Sequence, residues 1–175
     1  MAIGVNLTGI ESLQNALKKL DEKLVKEVSN EINASSLKIQ SDAKRLAPVN
    51  MGYLRNSIVL DGQIGSLTYN VEARMPYAPY VEFGTGGKVS IPTGYEDYAS
   101  IFKGKGDGKF KDFILELTKW VERKGIGSGK KSKSIAYAIA LNILRKGLRP
   151  QPFLIPSFET EKPKLIKRLN DLLNA

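Results

Sequence analysis

Residues 67–75 read Leu67-Thr-Tyr-Asn-Val-Glu-Ala-Arg-Met75 and alternate apolar and polar side chains without a fault. Strict period-two alternation is typical of a β-strand with one buried and one solvated face. The preceding segment, Asp61-Gly-Gln-Ile-Gly65, supplies a chain reversal and favours pairing with a strand over about residues 53–60. The pattern therefore predicts an antiparallel β-hairpin.

A long helix is predicted before this hairpin. Apolar residues recur every three or four positions from Leu13 to Leu46, and Thr8-Gly-Ile-Glu11 fits a capping box. Pro48 disfavours helical geometry at the residue before it, so the helix is expected over about residues 9–47. At 1.5 Å per residue it would be roughly 57 Å long. That length predicts either a kink near residues 33–36 or packing of part of the apolar stripe on another subunit.

Three helices are predicted after the hairpin, over about residues 110–121, 134–146 and 156–173. The first places Phe110, Trp120 and Val121 on one apolar face and has Gly125 as its C-terminal cap. Residues 84–134 are rich in Gly and Lys, which predicts an insertion with flexible arms around one short helix. The expected fold class is α+β, with a long N-terminal helix and C-terminal helices packed on a small antiparallel sheet. The expected organisation is a single domain spanning residues 1–175.

The composition excludes the commonest catalytic groups. The chain contains neither Cys nor His, so thiolate and imidazole chemistry are absent. Carboxylates remain, but their spacing does not place two across a common cleft, and each lies among basic residues. We therefore expect a protein that is not an enzyme, with no catalytic residues, no metal site and no cofactor.

Basic residues are concentrated in one segment. The formal net charge is +9, and residues 103–133 carry ten basic and four acidic side chains. Such an excess indicates nucleic acid, an anionic membrane surface or an acidic protein as partner, or a solvated loop. No apolar run is long enough to span a bilayer, and the N-terminal residues lack a signal-peptide pattern. The candidate partner-contact arm consists of Lys103, Lys105, Lys109, Lys111, Lys130 and Lys131.

Three short motifs follow one another along the chain. They are Ala43-Lys-Arg-Leu-Ala-Pro-Val-Asn-Met-Gly-Tyr-Leu-Arg-Asn-Ser-Ile58, Pro76-Tyr-Ala-Pro-Tyr-Val-Glu-Phe-Gly-Thr85 and Gln151-Pro-Phe-Leu-Ile-Pro156. Their order closely resembles the minor virion proteins that long-tailed bacteriophages place between head and tail, the neck or tail-completion proteins. The family usually has Asp-Thr where this chain has Asn50-Met51. The motif residues singled out are Pro48, Gly52, Leu54, Arg55, Tyr77, Tyr80, Glu82, Phe83, Gly84, Thr85, Pro152 and Phe153.

The resemblance implies a structural protein of the virion. It implies a ring of identical subunits that joins tail to head around the DNA channel, in contact with other neck, head-completion and tail proteins. DNA would pass without sequence-specific binding, no membrane would be involved, and assembly would occur in the host cytoplasm. Apolar neighbours of Arg55 and Glu82 also predict that these two side chains are partly buried and paired.

The basic charge of the chain also fits a second function. The sequence pI of about 9.6 and the basic segment also fit an accessory protein that binds nucleic acid without sequence specificity. Light scattering combined with binding to a random duplex separates the two functions. A large assembly with weak DNA affinity indicates the neck protein, and a small species with strong affinity indicates the accessory protein.

Overall fold

Two units make up the fold: Met1–Ala78 with Gln151–Ala175, and Pro79–Pro150. The computed structural model describes residues 3–6, 22–102 and 110–174. The first unit contains β1 (Ile3–Asn6), α1 (Glu22–Leu46), α2 (Tyr53–Asn56), β2 (Ile58–Asp61), β3 (Asn70–Ala73) and α7 (Leu154–Leu173). The second contains most of α3 (Ala78–Phe83), together with α4 (Glu96–Ser100), α5 (Phe110–Arg123) and α6 (Gly129–Lys146). A single domain with a flexible insertion stays a prediction, whereas the α+β class is confirmed.

The predicted hairpin is present in a three-stranded antiparallel sheet with strand order β1-β3-β2. β2 pairs with β3 so that Ile58 lies opposite Ala73 and Asp61 opposite Asn70. β1, which the sequence pattern did not predict, pairs with the other edge of β3. Val71 and Ala73 are buried while Asn70 and Glu72 are partly solvated, as the alternation indicated.

The strand prediction over residues 53–60 is wrong for its first half, because Tyr53–Asn56 is a short helix. Gly52 starts it with a φ of +79°, a backbone conformation that favours glycine. The amides of Asn56 and Ser57 then donate to the carbonyls of Gly52 and Tyr53, at 2.8 and 3.0 Å. The helical turn directs Leu54 into the core, where it is buried.

Helix α1 runs as one helix through residues 33–36, and the predicted kink there stays a prediction. Most of its described apolar stripe is buried, and α1 packs on α7 and on the sheet of its own chain. Leu46, the last residue of the stripe, is 42% exposed and is left for another subunit to cover. The predicted start of the helix at residue 9 lies outside the described residues. The buried stripe residues of α1 are Val28, Ile32, Ile39 and Ala43.

A polar network joins α7 to α1. The Arg168 guanidinium donates to Glu161 at 2.7 Å and to Glu31 at 2.8 Å, and the Ser35 hydroxyl donates to Glu161 at 3.2 Å. The hydrogen bond to Glu161 raises the pKa of Arg168, and Glu31 adds to the shift while burial opposes it. Arg168 therefore stays charged and neutralises the buried Glu161 carboxylate.

We expect Arg168→Met to lower the free energy of unfolding by about 2 kcal/mol, because it leaves a buried carboxylate without its closest cation. Urea denaturation followed by circular dichroism measures this loss. Lys167→Met is the matched control, because it removes the same charge from an exposed position on the same helix. Equal losses in the two variants would show that the network contributes nothing specific.

In the second unit, α5 and α6 form a helical hairpin. Gly125 has a φ of +68° after α5, as predicted for a cap, and the Ile126 amide donates to the Val121 carbonyl at 3.1 Å. The flexible arm predicted between this helix and the next is shorter than expected, because α6 begins at Gly129 and not at about residue 134. Small side chains in the first turns of α6 allow close packing against α5. The buried residues of the hairpin are Thr118, Val121, Ser132, Ala136 and Ala140.

Residues 84–102 contain structure that the Gly-rich composition did not predict. They include a short 3₁₀ turn at Gly86–Lys88 and the helix α4. Tyr98 stacks edge-to-face on Phe83 and on Phe102, with ring centroids 6.3 and 5.4 Å apart. These aromatic contacts supply the apolar burial that this stretch needs to fold.

Candidate partner interface

The first unit exposes a group of large apolar side chains around the first motif. Three of them lie between Ala47, which follows α1, and Leu54, and both of these residues are buried; the other two are Leu46 at the end of α1 and Tyr77 after the hairpin. Between these two anchors the chain turns at Pro48 and Gly52, and the intervening side chains face solvent. We call this group the apolar loop surface, and it consists of Leu46, Val49, Met51, Tyr53 and Tyr77.

Two tyrosines connect the loop to the end of the hairpin. Tyr53 is 56% exposed and Tyr77 is 43% exposed. Burial raises the pKa of the Tyr77 hydroxyl, and the nearby Tyr53 hydroxyl adds to the shift. Tyr77 is therefore protonated at neutral pH and can donate a hydrogen bond to a partner. Residues from the first and second motifs thus contribute to one surface.

The loop is held at both ends by hydrogen bonds to main-chain carbonyls. The Ala47 amide donates to the Ala43 carbonyl at 2.9 Å, which continues the last turn of α1. After α2, the Ser57 hydroxyl donates to the Leu54 carbonyl, and the Arg74 amide donates to the Ser57 carbonyl at 3.1 Å. Both ends of the loop are therefore fixed, and its apolar side chains remain exposed to solvent.

The Phe83-Gly84-Thr85 part of the second motif has a structural role in the second unit. The Thr85 amide donates to the Leu148 carbonyl at 3.0 Å, and the Leu148 amide donates to the Thr85 hydroxyl at 2.8 Å. Gly84 has a φ of +77°, and a Cβ there would lie 2.7 Å from the Leu148 carbonyl oxygen. Glycine is therefore required where the two segments cross.

Tyr80, Phe83, Gly84 and Thr85 also line an apolar groove of about 610 Å³ in the second unit. Glu96 and Ser100 are polar residues among its lining. The sequence pattern does not indicate this groove, because its other walls come from the Gly-rich stretch. The apolar residues that these walls contribute include Val89, Ile91, Ala99 and Phe102.

The remaining motif residues differ in burial. Phe153 is fully buried at the start of α7, whereas Pro152 beside it is exposed. Glu82 is 1% exposed. Arg55 is exposed on α2, so the partial burial predicted for it is wrong. The pairing of Arg55 with Glu82 stays a prediction.

The predicted lysine arm is only partly described. Lys103, Lys105 and Lys109 lie outside the described residues. Lys111 is exposed at the start of α5, and Lys130 and Lys131 are exposed in the first turn of α6.

Sequence reasoning missed Val49, Met51 and Tyr53 as surface residues, although all three stand in the quoted motif. A signal was available, because apolar residues separated by Pro, Asn and Gly in a turn cannot all reach one core. Within the described ranges, no three acidic side chains are grouped to hold a metal ion. None of the helices seen in that part of the chain has the length and apolar character that a membrane span requires.

Part of the chain matches a known protein-family model. A family model described as "Bacteriophage HK97-gp10, putative tail-component" matches residues 11–84. No match was found among curated proteins or among solved structures. The matched range contains α1, the β2–β3 hairpin and every residue of the apolar loop surface. Over these residues the chain is similar to a family of bacteriophage tail components, which confirms the resemblance to phage neck and tail proteins and supports a structural role in the virion.

Proposed function

We propose that this protein is a neck or tail-completion subunit that forms a ring around the DNA channel and joins the tail of a long-tailed phage to its head. The observation that carries this proposal is the apolar loop surface. It lies within residues 11–84, which match the tail-component family. A ring requires two different faces on each subunit that meet head to tail. The apolar loop surface is one of these faces.

The energetics favour an interface at this surface. Scattered exposed apolar residues are ordinary, but a contiguous group marks a contact site. The four loop side chains lie within eight consecutive residues, and Tyr77 lies near Tyr53. Burying a half-exposed side chain of this size contributes about 1 kcal/mol. Five such side chains at each junction of a closed ring give a substantial driving force for assembly.

This role requires neither a cofactor nor catalysis. Subunits contact one another and the adjoining neck, head-completion and tail proteins, and DNA moves through the ring without base-specific contacts. Assembly takes place in the host cytoplasm before the particle is complete.

Deletion of the gene in its phage, followed by electron microscopy of the lysate, tests the proposal. We expect full heads and tails to accumulate unjoined, and a plasmid copy of the gene to restore joined particles. Native mass spectrometry of the protein released from purified particles is expected to show a closed homo-oligomer. Joined, infectious particles from the deletion phage would overturn the proposal.

Nucleic-acid binding is the second candidate function, and the exposed lysines of α6 favour it. Fluorescence anisotropy with a random 30-base-pair duplex measures it directly. Phosphate-driven binding falls steeply with salt. A Kd that stays below the micromolar range at physiological salt would favour this function over the neck role, provided that the protein does not assemble.

A further inference from the structure

The tip of the α5–α6 hairpin is strongly basic. All five of its cationic side chains are exposed, and within the described ranges none of the five forms an ion pair with a carboxylate. Lys119 on the same hairpin, by contrast, pairs with Glu116 at 2.7 Å. We call these residues the basic tip, and they are Arg123, Lys124, Lys130, Lys131 and Lys133.

The helix geometry adds to this positive charge. α6 begins at Gly129, so the positive end of its dipole lies among the lysines of the tip. No acidic residue stands in the first turn of α6, and Ser128 makes no side-chain capping hydrogen bond. The lysines therefore repel one another and the helix end, and an external carboxylate would relieve both costs.

An apolar strip continues from the tip along α6. Lys130, Lys133, Tyr137, Leu141 and Leu144 are spaced three or four residues apart, which places them on one face of the helix. Tyr137 is 49% exposed and Leu144 is 63% exposed. Phe110 of α5 widens the strip, because its ring lies edge-to-face against Tyr137 with centroids 6.0 Å apart. One exposed face thus has a basic end and an apolar end.

The charge of the hairpin identifies the kind of partner. Residues 110–146 carry nine basic and three acidic side chains, so a second copy of the same face would be repelled. Duplex DNA offers phosphates for the basic tip but nothing for Tyr137 and Leu144. A protein surface that presents an apolar patch bordered by carboxylates satisfies both ends.

We propose that the α5–α6 hairpin is a docking arm for another virion protein whose contact surface is acidic and apolar. The basic tip steers the two proteins together, and Tyr137 and Leu144 anchor the contact. This proposal rests on the proposed neck role and names the chemistry of one of its partners. The arm lies outside residues 11–84, the range that matches the tail-component family.

Photo-crosslinking in assembled particles tests the docking arm. Phage carrying Tyr137→p-benzoylphenylalanine is purified and irradiated, and the crosslinked peptides are identified by mass spectrometry. We expect a crosslink to a different virion protein, in a segment with more Asp and Glu than Lys and Arg. A crosslink to DNA, to a second copy of this chain or to a basic segment would overturn the proposal, as would the absence of any crosslink.

A charge variant supplies the second measurement. The variant replaces three lysines of the tip, as Lys130→Gln, Lys131→Gln and Lys133→Gln. We expect salt washing to remove it from particles about tenfold more than the native protein, because the loss of three exposed ion pairs lowers the affinity by roughly tenfold. The matched control, Lys26→Gln, Lys162→Gln, Lys167→Gln, removes three exposed lysines from the first unit. Equal retention of both variants would overturn the proposal.

The two proposals fail in different ways. If the gene-deletion phage still joins heads to tails, the neck role fails regardless of the hairpin. If joining requires the protein but the hairpin variants behave like the native chain and give no crosslink, only the docking arm fails.

Discussion

Replacing Met51 and Tyr53 together by glutamate is expected to reduce the yield of joined particles at least 100-fold while the isolated subunit remains folded. Both side chains are about half exposed in the free subunit, so the change costs its fold little. In an assembled ring the two carboxylates would be buried without partners. That costs at least about 3 kcal/mol per junction, or roughly a hundredfold in affinity.

Complementation of the deletion phage, with particles counted by electron microscopy, measures this loss. Circular dichroism of the purified variant checks that the fold is retained. The control is Ile166→Glu, because Ile166 is a half-exposed apolar residue on α7, away from the loop. A normal particle yield from the double variant, or an equal loss in the control, would show that the apolar loop surface is not an interface.

The features that sequence predicted best are those with a local physical cause. α1 ends at Leu46 because Pro48 follows it closely, and β3 alternates because one of its faces is buried. Gly125 ends the turn after α5 with a positive φ, as its position indicated. In each case the residues that carry the signal lie close together in the sequence.

Features that depend on distant contacts were not predicted. α4 folds because Tyr98 packs between Phe83 and Phe102, and no periodicity in the sequence indicates this stack. β1 joins the sheet only by pairing with β3, far away along the chain. The exposure of Val49, Met51 and Tyr53 likewise depends on how the loop is anchored at its ends. Composition alone therefore assigned residues 84–102 to a flexible arm.

Gly147 provides the strongest case of such a distant constraint. Its backbone has a φ of 75° and a ψ of 167°, a region that is essentially restricted to glycine. An added Cβ would lie 1.8 Å from the carbonyl oxygen of Thr85, which is main chain and cannot swing away as a side chain could. Relief of this overlap requires the segments of Thr85 and Leu148 to separate, which breaks the two hydrogen bonds between them.

Gly147→Ala is therefore expected to destabilise the second unit by more than about 4 kcal/mol, a loss that marks a severe backbone conflict. Gly125→Ala separates this overlap from the cost of a positive φ alone, because Gly125 has a φ of +68° and an added Cβ there meets nothing within 4 Å. The control is expected to lose only about 1–2 kcal/mol. Trp120, the single tryptophan, lies on α5 and reports unfolding of this unit by fluorescence in urea. Similar losses in the two variants would mean that the crossing of Thr85 and Leu148 can open without cost, so that the second motif does not hold this unit together.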